Sequence, residues 1–138
     1  MSPSFEPHAA EWIAWARTPE FDAYWYYRDA FFALLPPPSG PVLEIGCGEG
    51  RVTRDLTALG YTVTAIDASP TLVRSAAEQD PDGHYSVADA CALPFVGDSY
   101  AMVVAYNSLM DVADMPAAVR EAGRVLAQIG RASCRERV

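Results

Sequence analysis

One short stretch, residues 41–51, constrains the fold of this chain more than any other part of its sequence. It begins with a short, mainly apolar run at positions 42–45, and glycine then follows at every second position, at Gly46, Gly48 and Gly50. This pattern predicts a buried strand that ends in a tight turn. Glycine has no Cβ and tolerates positive φ, so a ligand can lie against the backbone where the amides of the next helix begin. The stretch therefore predicts a nucleotide-like ligand at a strand-to-helix turn.

The spacing of the glycines distinguishes two classes of nucleotide-binding domain. A dinucleotide fingerprint, typical of NAD(P)-binding oxidoreductases, has a third glycine where this chain has Arg51. An acidic residue, Glu44, instead precedes the first glycine by two positions. The pattern Glu44-x-Gly46-x-Gly48-x-Gly50 closely resembles the first motif of the class I S-adenosylmethionine-dependent methyltransferases. The resemblance implies that Glu44 lies near the methionine amine and that the glycine backbone lies beside the methionine portion.

A helical pattern and a second strand, residues 61–67, follow the glycine turn. Two parallel strands joined by a helix place both carboxyl ends on the ligand side. Asp67 comes about 20 residues after the first glycine, where a carboxylate accepts hydrogen bonds from a ribose. The alternative is that Asp67 caps the next helix, but Ser69 can fill that role. The family resemblance implies the ribose role for Asp67 and places Ala68 against adenine.

A further motif follows the third predicted strand, residues 84–88. The segment 89–95 reads Asp-Ala-Cys-Ala-Leu-Pro-Phe and resembles the third motif of the same family. The resemblance implies that Asp89 accepts from the adenine amino group and that the backbone amide of Ala90 reaches a ring nitrogen. The alternative is a loop carboxylate that is merely solvated. The occurrence of the motifs in the family's order favours the adenine role.

The fourth predicted strand, residues 100–106, leads into the candidate catalytic groups. In the family this strand lies beside the first, which gives the sheet order 3-2-1-4 and a ligand site at the switch point. Catalytic groups of the family commonly follow this strand, and Tyr106, Asn107 and Asp111 are candidates for orienting a methyl acceptor. The Asn/Asp-Pro-Pro-aromatic signature of enzymes that methylate amino groups of nucleic acids and some proteins is not present. That subclass is therefore disfavoured.

Residues 1–40 are predicted to be helical and are unusually aromatic, and a proline run at positions 36–38 ends the helix. One interpretation is that the aromatic residues pack the helix onto the sheet. The other is a lid, because in the family such a segment often folds over the methionine end of the cofactor and shapes the acceptor pocket. Aromatic faces favour a sulfonium cation, and an arginine can pair with the methionine carboxylate. The candidates for these roles are Trp15, Arg17, Tyr24, Trp25, Tyr27 and Arg28.

The segment 129–138 departs from the family pattern. Helical spacing runs through Gln128, after which the family shows a glycine turn and a fifth strand. The tail is instead neither periodic nor apolar and resembles a translated sequencing adapter, so we exclude it from the predicted fold. The predicted methyltransferase domain, residues 41–128, is then incomplete. We expect its fourth strand to form an exposed apolar edge that favours aggregation.

Composition limits the classes of partner and compartment. The chain has 138 residues, a formal net charge of −8 and no lysine, and such an acidic surface favours small molecules over nucleic acids. Three widely spaced cysteines and two histidines predict neither a disulfide framework nor a metal site, and Cys47 and Cys91 are predicted to be small buried residues. The sequence shows no signal peptide or membrane span, so the cytoplasm is the expected compartment.

These patterns predict an α/β, Rossmann-like domain that transfers a methyl group directly from S-adenosylmethionine to a small molecule. Two alternatives stay open: an NAD(P)-binding oxidoreductase domain and a non-catalytic S-adenosylmethionine-binding remnant. The residues expected to contact the cofactor are Glu44, Gly46, Cys47, Gly48, Gly50, Asp67, Ala68, Asp89, Ala90 and Tyr106.

Overall fold

The computed structural model of the chain describes residues 6–19 and 22–135. None of the helices within these ranges has the length and apolar character needed to cross a membrane. The helices are α1 (Ala9–Ala16), α2 (Ala23–Ala33), α3 (Arg51–Ala58), α4 (Pro70–Gln79) and α5 (Met115–Val125). The strands are β1 (Val42–Ile45), β2 (Val63–Asp67), β3 (His84–Val87), β4 (Tyr100–Tyr106) and β5 (Leu126–Arg135).

The five strands form one parallel sheet with the order β3-β2-β1-β4-β5. The predicted Rossmann-like α/β class and the order of the first four strands are therefore confirmed. Strand β1 is central, because Val42 pairs with Val63 of β2 and with Met102 of β4. Since the strands are parallel, the carboxyl ends of β1, β2 and β4 meet at one edge of the sheet, on either side of the switch point.

The prediction that the sheet ends at the fourth strand is wrong. The helical pattern that was expected to run through Gln128 stops at Val125, and β5 pairs in parallel with β4. Leu126 already has an extended backbone, with φ −77° and ψ 133°, so the chain passes directly from α5 into the strand. This pairing satisfies backbone groups of β4 that an open edge would leave without partners. The non-native origin of residues 129–138 stays a prediction.

Two apolar layers cover the two faces of the sheet. On one face, Tyr24 of α2 and Leu56 of α3 pack in the same buried cluster as Val42 of β1. On the other face, Leu43 of β1 packs in a cluster with Val125 of α5. Adjacent residues of β1 thus serve opposite layers, as the alternation of a strand requires. Burial on both faces explains why this strand is a nearly continuous apolar run in the sequence.

The aromatic residues of α2 attach the N-terminal segment to the sheet. Tyr24 is 1% exposed, and its ring meets that of Tyr106 edge to face, with centroids 5.4 Å apart. Trp25 and Phe32 are partly buried against the same apolar layer. The packing interpretation of these aromatic residues is therefore correct. Helix α1 contacts α4, so the segment extends across the ligand edge of the sheet.

Candidate functional site

A cavity of about 650 Å³ lies at the carboxyl ends of β1, β2 and β4, and the N-terminal segment forms its opposite wall. Its volume is that of a small-molecule or cofactor site. On the sheet side it is lined by Glu44, Ile45, Gly46, Cys47, Gly48, Glu49, Arg51, Val52, Ile66, Asp67, Ala68, Ser69, Leu72, Ala88, Asp89, Ala90, Tyr106, Asn107, Ser108, Asp111 and Val112. On the N-terminal side it is lined by Glu6, Trp12, Trp15, Asp22, Ala23, Tyr24 and Tyr27.

The structure brings together in this wall every residue predicted to contact the cofactor except Gly50. Gly50 has φ +93° and forms the N-cap of α3. A Cβ at this position would lie 3.0 Å from the Tyr85 hydroxyl oxygen and 3.1 Å from the Cβ of Ala76. The start of α3 and the close packing at position 50 therefore each require glycine there, and a contact of Gly50 with the cofactor stays a prediction.

Gly46 brings the turn after β1 against the loop after β4. It has φ +75°, and a Cβ at this position would overlap the Cβ and Oγ of Ser108. The Ser108 hydroxyl donates to the carbonyl oxygen of Ile45 at 2.7 Å. The amides of Gly46 and Cys47 both donate to the carbonyl oxygen of Ile66, each at 2.9 Å. The ends of β1, β2 and β4 therefore form one continuous floor beneath the cavity.

Asp67, at the end of β2, holds the glycine turn. Its Oδ2 accepts the N–H of Gly48 and its Oδ1 accepts the N–H of Ser69, each at 2.9 Å. Burial raises the pKa of Asp67 above its usual value. Helix α4 is capped by Ser69, whose Oγ accepts the N–H of Leu72 at 3.2 Å. The cap is therefore Ser69, as predicted, and the carboxylate of Asp67 has more lone pairs than these two amides use.

Glu44 is a buried carboxyl group in the floor of the cavity. Glu44 is 1% exposed, and the hydroxyl of Thr53 donates a hydrogen bond to its Oε1. Burial raises the pKa of Glu44 to about 7, against the opposing effect of the Thr53 hydrogen bond. A carboxyl group in this environment gains from a cationic partner, because that partner offsets the cost of burying the charge.

We expect Glu44 to lower the stability of the chain as the pH rises from about 4.5 to about 7. The folded state retains the Glu44 proton up to pH about 7, whereas the unfolded chain releases it near 4.5. Rising pH therefore favours unfolding in this window, by on the order of 3 kcal/mol in total. Urea unfolding at pH 5 and pH 7.5 measures the decline. Glu44→Gln, which can still accept from Thr53, should remove the contribution of Glu44 and make the decline smaller, and an equal decline in both proteins would contradict the prediction.

Asp89 and Ala90 lie in the loop that follows β3. The Oδ1 of Asp89 accepts the N–H of Cys91 at 2.9 Å, which fixes the carboxylate relative to its own backbone. Leu93, in the same loop, is 6% exposed, and its N–H donates to the Oε1 of Glu121 at 2.9 Å. The loop is thus anchored in the apolar layer beneath it, and this anchoring holds Asp89 and Ala90 at the cavity.

The end of β4 presents a buried polar group, the side-chain amide oxygen of Asn107. Asn107 has φ +52°, a left-handed conformation that asparagine adopts more readily than most residues. Its Oδ1 is buried and has no hydrogen-bond partner among the described residues. Leaving such an oxygen without a donor costs about 1–3 kcal/mol, so an N–H or O–H of a ligand would stabilise it. Tyr106 packs its ring against Phe31, with centroids 4.9 Å apart, and Asp111 lies in the following 3-10 turn.

Two arginines that the sequence suggested for ligand binding lie outside the cavity wall. The Nε of Arg17 donates to the Oε2 of Glu49 at 3.0 Å, and its Nη2 donates to the Oγ of Ser75 at 2.9 Å. Arg28 pairs with the Oδ2 of Asp55 at 3.2 Å. These pairs fasten the N-terminal segment to α3 and α4. Of the other residues suggested for this segment, Trp25 packs in the apolar layer, and the wall contains Trp15, Tyr24 and Tyr27.

The cavity wall also contains residues that the sequence motifs did not single out for it. The Oε1 of Glu6 accepts the Thr71 hydroxyl at 2.6 Å, so the 3-10 turn Glu6–His8, which precedes α1, is tied to the start of α4. Such contacts join residues that are distant in sequence, and no local pattern marks them. Position 51 is marked only by its departure from the dinucleotide fingerprint. The charged, polar and tryptophan residues of this group are Glu6, Trp12, Asp22, Glu49, Arg51 and Ser108.

The parallel sheet, the glycine turn after its central strand and the acid at the end of β2 define a Rossmann-like nucleotide-binding domain. The methyltransferase domain family matches residues 43–134. The chain belongs to this family, and its fold and motifs are those of the class I S-adenosylmethionine-dependent methyltransferases, whose cofactor is S-adenosylmethionine.

The chain is 36% identical over 92 residues to the ubiquinone biosynthesis O-methyltransferase of Methylobacterium nodulans, a match that covers 64% of this chain and 37% of that protein. It is 35% identical over 111 residues to the 27-O-demethylrifamycin SV methyltransferase of Amycolatopsis mediterranei, covering 75% of this chain and 41% of that protein. A chain in the solved complex of the Haloferax volcanii Trm112 methyltransferase activator with a methyltransferase superposes with a TM-score of 0.81 and 26% identity, over 95% of this chain and 59% of that one. The chain spans less than half the length of either curated relative.

The groups in the cavity wall fit this cofactor. Glu44 offers a buried carboxyl group for an ammonium ion, and Asp67 retains lone pairs for hydroxyl donors. Asn107 offers a buried oxygen that lacks a donor. The rings of Trp15 and Tyr27 line the same space, and aromatic faces attract a sulfonium cation.

Proposed function

We propose that this protein transfers the methyl group of S-adenosylmethionine directly to a small-molecule acceptor. The observation that carries the proposal is the cavity, because it joins the ends of β1 and β2 with the end of β4 and with an aromatic N-terminal wall. Both curated relatives are named as methyltransferases, one of ubiquinone biosynthesis and one of 27-O-demethylrifamycin SV, which supports a small-molecule acceptor.

In this proposal, five groups of the wall each bind a different part of the cofactor. Glu44 binds the methionine ammonium, and the backbone of Gly46–Gly48 lies along the methionine portion. Asp67 accepts hydrogen bonds from the ribose hydroxyls. Ala68 lies against adenine, and the Asp89–Ala90 pair reads the edge of the base. The burial of Glu44 and the position of Asp67 beside the glycine turn support these roles.

The chain contributes mainly alignment to the reaction. When bound, S-adenosylmethionine supplies a methyl group on a sulfonium that already leaves readily. Holding two reacting groups in line can supply roughly 7–11 kcal/mol of the barrier. The hydrogen bond from Ser108 to Ile45, at 2.7 Å, and the close packing of Ser108 on Gly46 fix the cofactor side of the floor to the acceptor side.

The end of β4 is the proposed acceptor side. Asn107 orients the acceptor, because its buried Oδ1 accepts an N–H or O–H that none of the described residues provides. Tyr106 forms the base of this side with a ring that is packed against its neighbours. Among the carboxylates in the wall, Asp111 is the one nearest in sequence to the end of β4. We assign it the role of accepting the proton that some acceptors lose on methylation.

The N-terminal segment, residues 1–40, acts as a lid in this proposal, and the methyltransferase domain begins at Pro41. Trp12, Trp15 and Tyr27 form the part of the wall that faces away from the sheet. The ion pair of Arg17 with Glu49 and its hydrogen bond to Ser75 hold the end of α1 in this position. Among the described residues, α2 contributes to the apolar layer on the sheet but α1 contributes to neither buried cluster, so α1 can open without disrupting the sheet.

Competition between S-adenosylhomocysteine and NAD tests this function against the oxidoreductase alternative. We expect S-adenosylhomocysteine to bind the chain in calorimetry and NAD not to displace it, because Arg51 replaces the glycine that packs the helix closely in dinucleotide sites. Displacement by NAD would overturn the assignment. Transfer of a labelled methyl group to a panel of small molecules then tests catalysis. Normal binding without transfer to any of them would favour the remnant alternative.

A further inference from the structure

The charge of the cavity wall is strongly one-sided. Among the described residues that line it, seven carry carboxyl groups and one, Arg51, carries a cationic side chain. The methionine moiety of the cofactor bears a carboxylate as well as an ammonium. A carboxylate that enters such a wall is repelled by the surrounding acids unless a cation pairs with it. Arg51 is the cation in the wall that can do so.

Arg51 is held in place at the start of α3. Its Nη1 and Nη2 donate to the Oδ1 and Oδ2 of Asp22, at 3.2 and 2.9 Å. Its guanidinium lies 5.2 Å from the ring centroid of Trp12 and 4.2 Å from that of Tyr24, and its side chain is 12% exposed. The pair with Asp22 uses two of the five N–H donors of the guanidinium. The aromatic rings pack on its face, so a ligand would be bound at its edge.

The neighbouring arginines have a different function. Arg17 and Arg54 both pair with Glu49, at 3.0 and 2.8 Å, and neither lines the cavity. Glu49 is 1% exposed, and a buried carboxylate of this kind requires such partners. These two arginines therefore offset the charge of Glu49, and a carboxylate in the cavity meets Arg51.

We propose that Arg51 recognises the carboxylate of the cofactor's methionine moiety with the edge of its guanidinium while Asp22 holds its end. The inference rests on the proposed function, in which the methionine portion lies beside the glycine turn that Arg51 directly follows. It gives a role to the residue that stands in place of the third glycine. Because Trp12, Asp22 and Tyr24 all belong to the N-terminal segment, the same guanidinium couples recognition of the carboxylate to docking of that segment.

The test compares two ligands that differ only in the carboxylate. These are S-adenosylhomocysteine and its decarboxylated analogue, S-adenosyl-3-thiopropylamine. In calorimetry at low salt, the unmodified chain is expected to bind S-adenosylhomocysteine about tenfold more tightly or better, the effect of a charge-assisted hydrogen bond. Arg51→Met should reduce this ratio to about one or below, because the acids of the wall then repel an unpaired carboxylate. Arg51→Lys keeps the charge but loses the planar fork, so its ratio should fall between the two.

Arg17→Met is the matched control, because Arg17 also fastens the N-terminal segment but lies outside the wall. It is expected to change the affinity for both ligands by the same factor. Equal weakening of both ligands by Arg51→Met would overturn the inference, and so would equal affinity of the unmodified chain for both. The comparison of the two ligands on the unmodified chain needs no variant, so it still tests the inference if Arg51→Met does not fold. Failure of the unmodified chain to bind either ligand would overturn the cofactor placement itself, whereas binding without discrimination overturns this inference alone.

Discussion

Replacement of Asp67 by alanine is expected to weaken the binding of S-adenosylhomocysteine about 100-fold or more. In the proposed complex its carboxylate accepts two ribose hydroxyls, and the loss of two charge-assisted hydrogen bonds costs about 3 kcal/mol or more. The same carboxylate accepts the N–H groups of Gly48 and Ser69, each at 2.9 Å, so the variant also loosens the glycine turn. Calorimetry on the purified chain measures the loss, and thermal unfolding shows whether the variant is folded.

Two further variants separate the ribose contact from a general effect of charge. Asp82→Ala removes a carboxylate from the exposed turn before β3 and is expected to leave ligand affinity unchanged. Asp67→Asn keeps one acceptor oxygen but directs N–H donors towards groups that also donate, so it should bind with reduced affinity. A folded Asp67→Ala variant that binds S-adenosylhomocysteine as tightly as the unmodified chain would exclude the ribose role.

The unit formed by β1, α3 and β2 is predictable from sequence because several local signals agree there. The glycine turn, the amphipathic helix and the second apolar strand each indicate the same arrangement. The start of α4 is predictable for the same reason, since Ser69 and Pro70 are a capping residue and a first-turn proline in the expected places. Their positions at the ends of parallel strands then bring the predicted acids to one edge of the sheet.

Strand β5 could not be predicted in this way. Its residues, 126–135, show neither alternation nor an apolar run, and the preceding helical spacing continues into them. Their pairing with β4 depends on the open edge of a neighbouring strand, which is a property of the assembled sheet. The local pattern therefore predicts a helix that continues to Gln128 and a β4 with an unpaired edge. Both predictions are wrong.

The N-terminal side of the cavity was harder to predict than the sheet side. The pairs of Arg51 with Asp22 and of Arg17 with Ser75 join residues that are 29 and 58 positions apart, and no spacing rule connects them. Aromatic residues at helical spacing fit both packing and ligand contact, and Tyr24 in fact lies in the buried layer and in the cavity wall. A pattern of alternating glycines likewise cannot distinguish ligand approach from the start of a helix.

Replacement of Gly46 by alanine is expected to destabilise the chain by roughly 2–5 kcal/mol. Gly46 has φ +75°, a conformation that costs a residue with a Cβ about 1–2 kcal/mol. The new methyl group would overlap the Cβ and Oγ of Ser108, and such overpacking costs about 1–3 kcal/mol. A Cβ is fixed to the backbone, so no change of rotamer relieves the contact, and the turn and the β4 loop must separate. Urea unfolding of both proteins measures the difference.

Gly123 provides the matched control for this substitution. It lies in α5, a Cβ there has open space around it, and Gly123→Ala is expected to stabilise the chain by about 0.5–1 kcal/mol. Adding Ser108→Gly to Gly46→Ala should recover part of the loss, because it removes one Cβ of the overlapping pair. If Gly46→Ala unfolds at the same urea concentration as the unmodified chain, the turn after β1 does not contact the end of β4. The floor that aligns cofactor with acceptor in the proposed reaction would then have no structural basis.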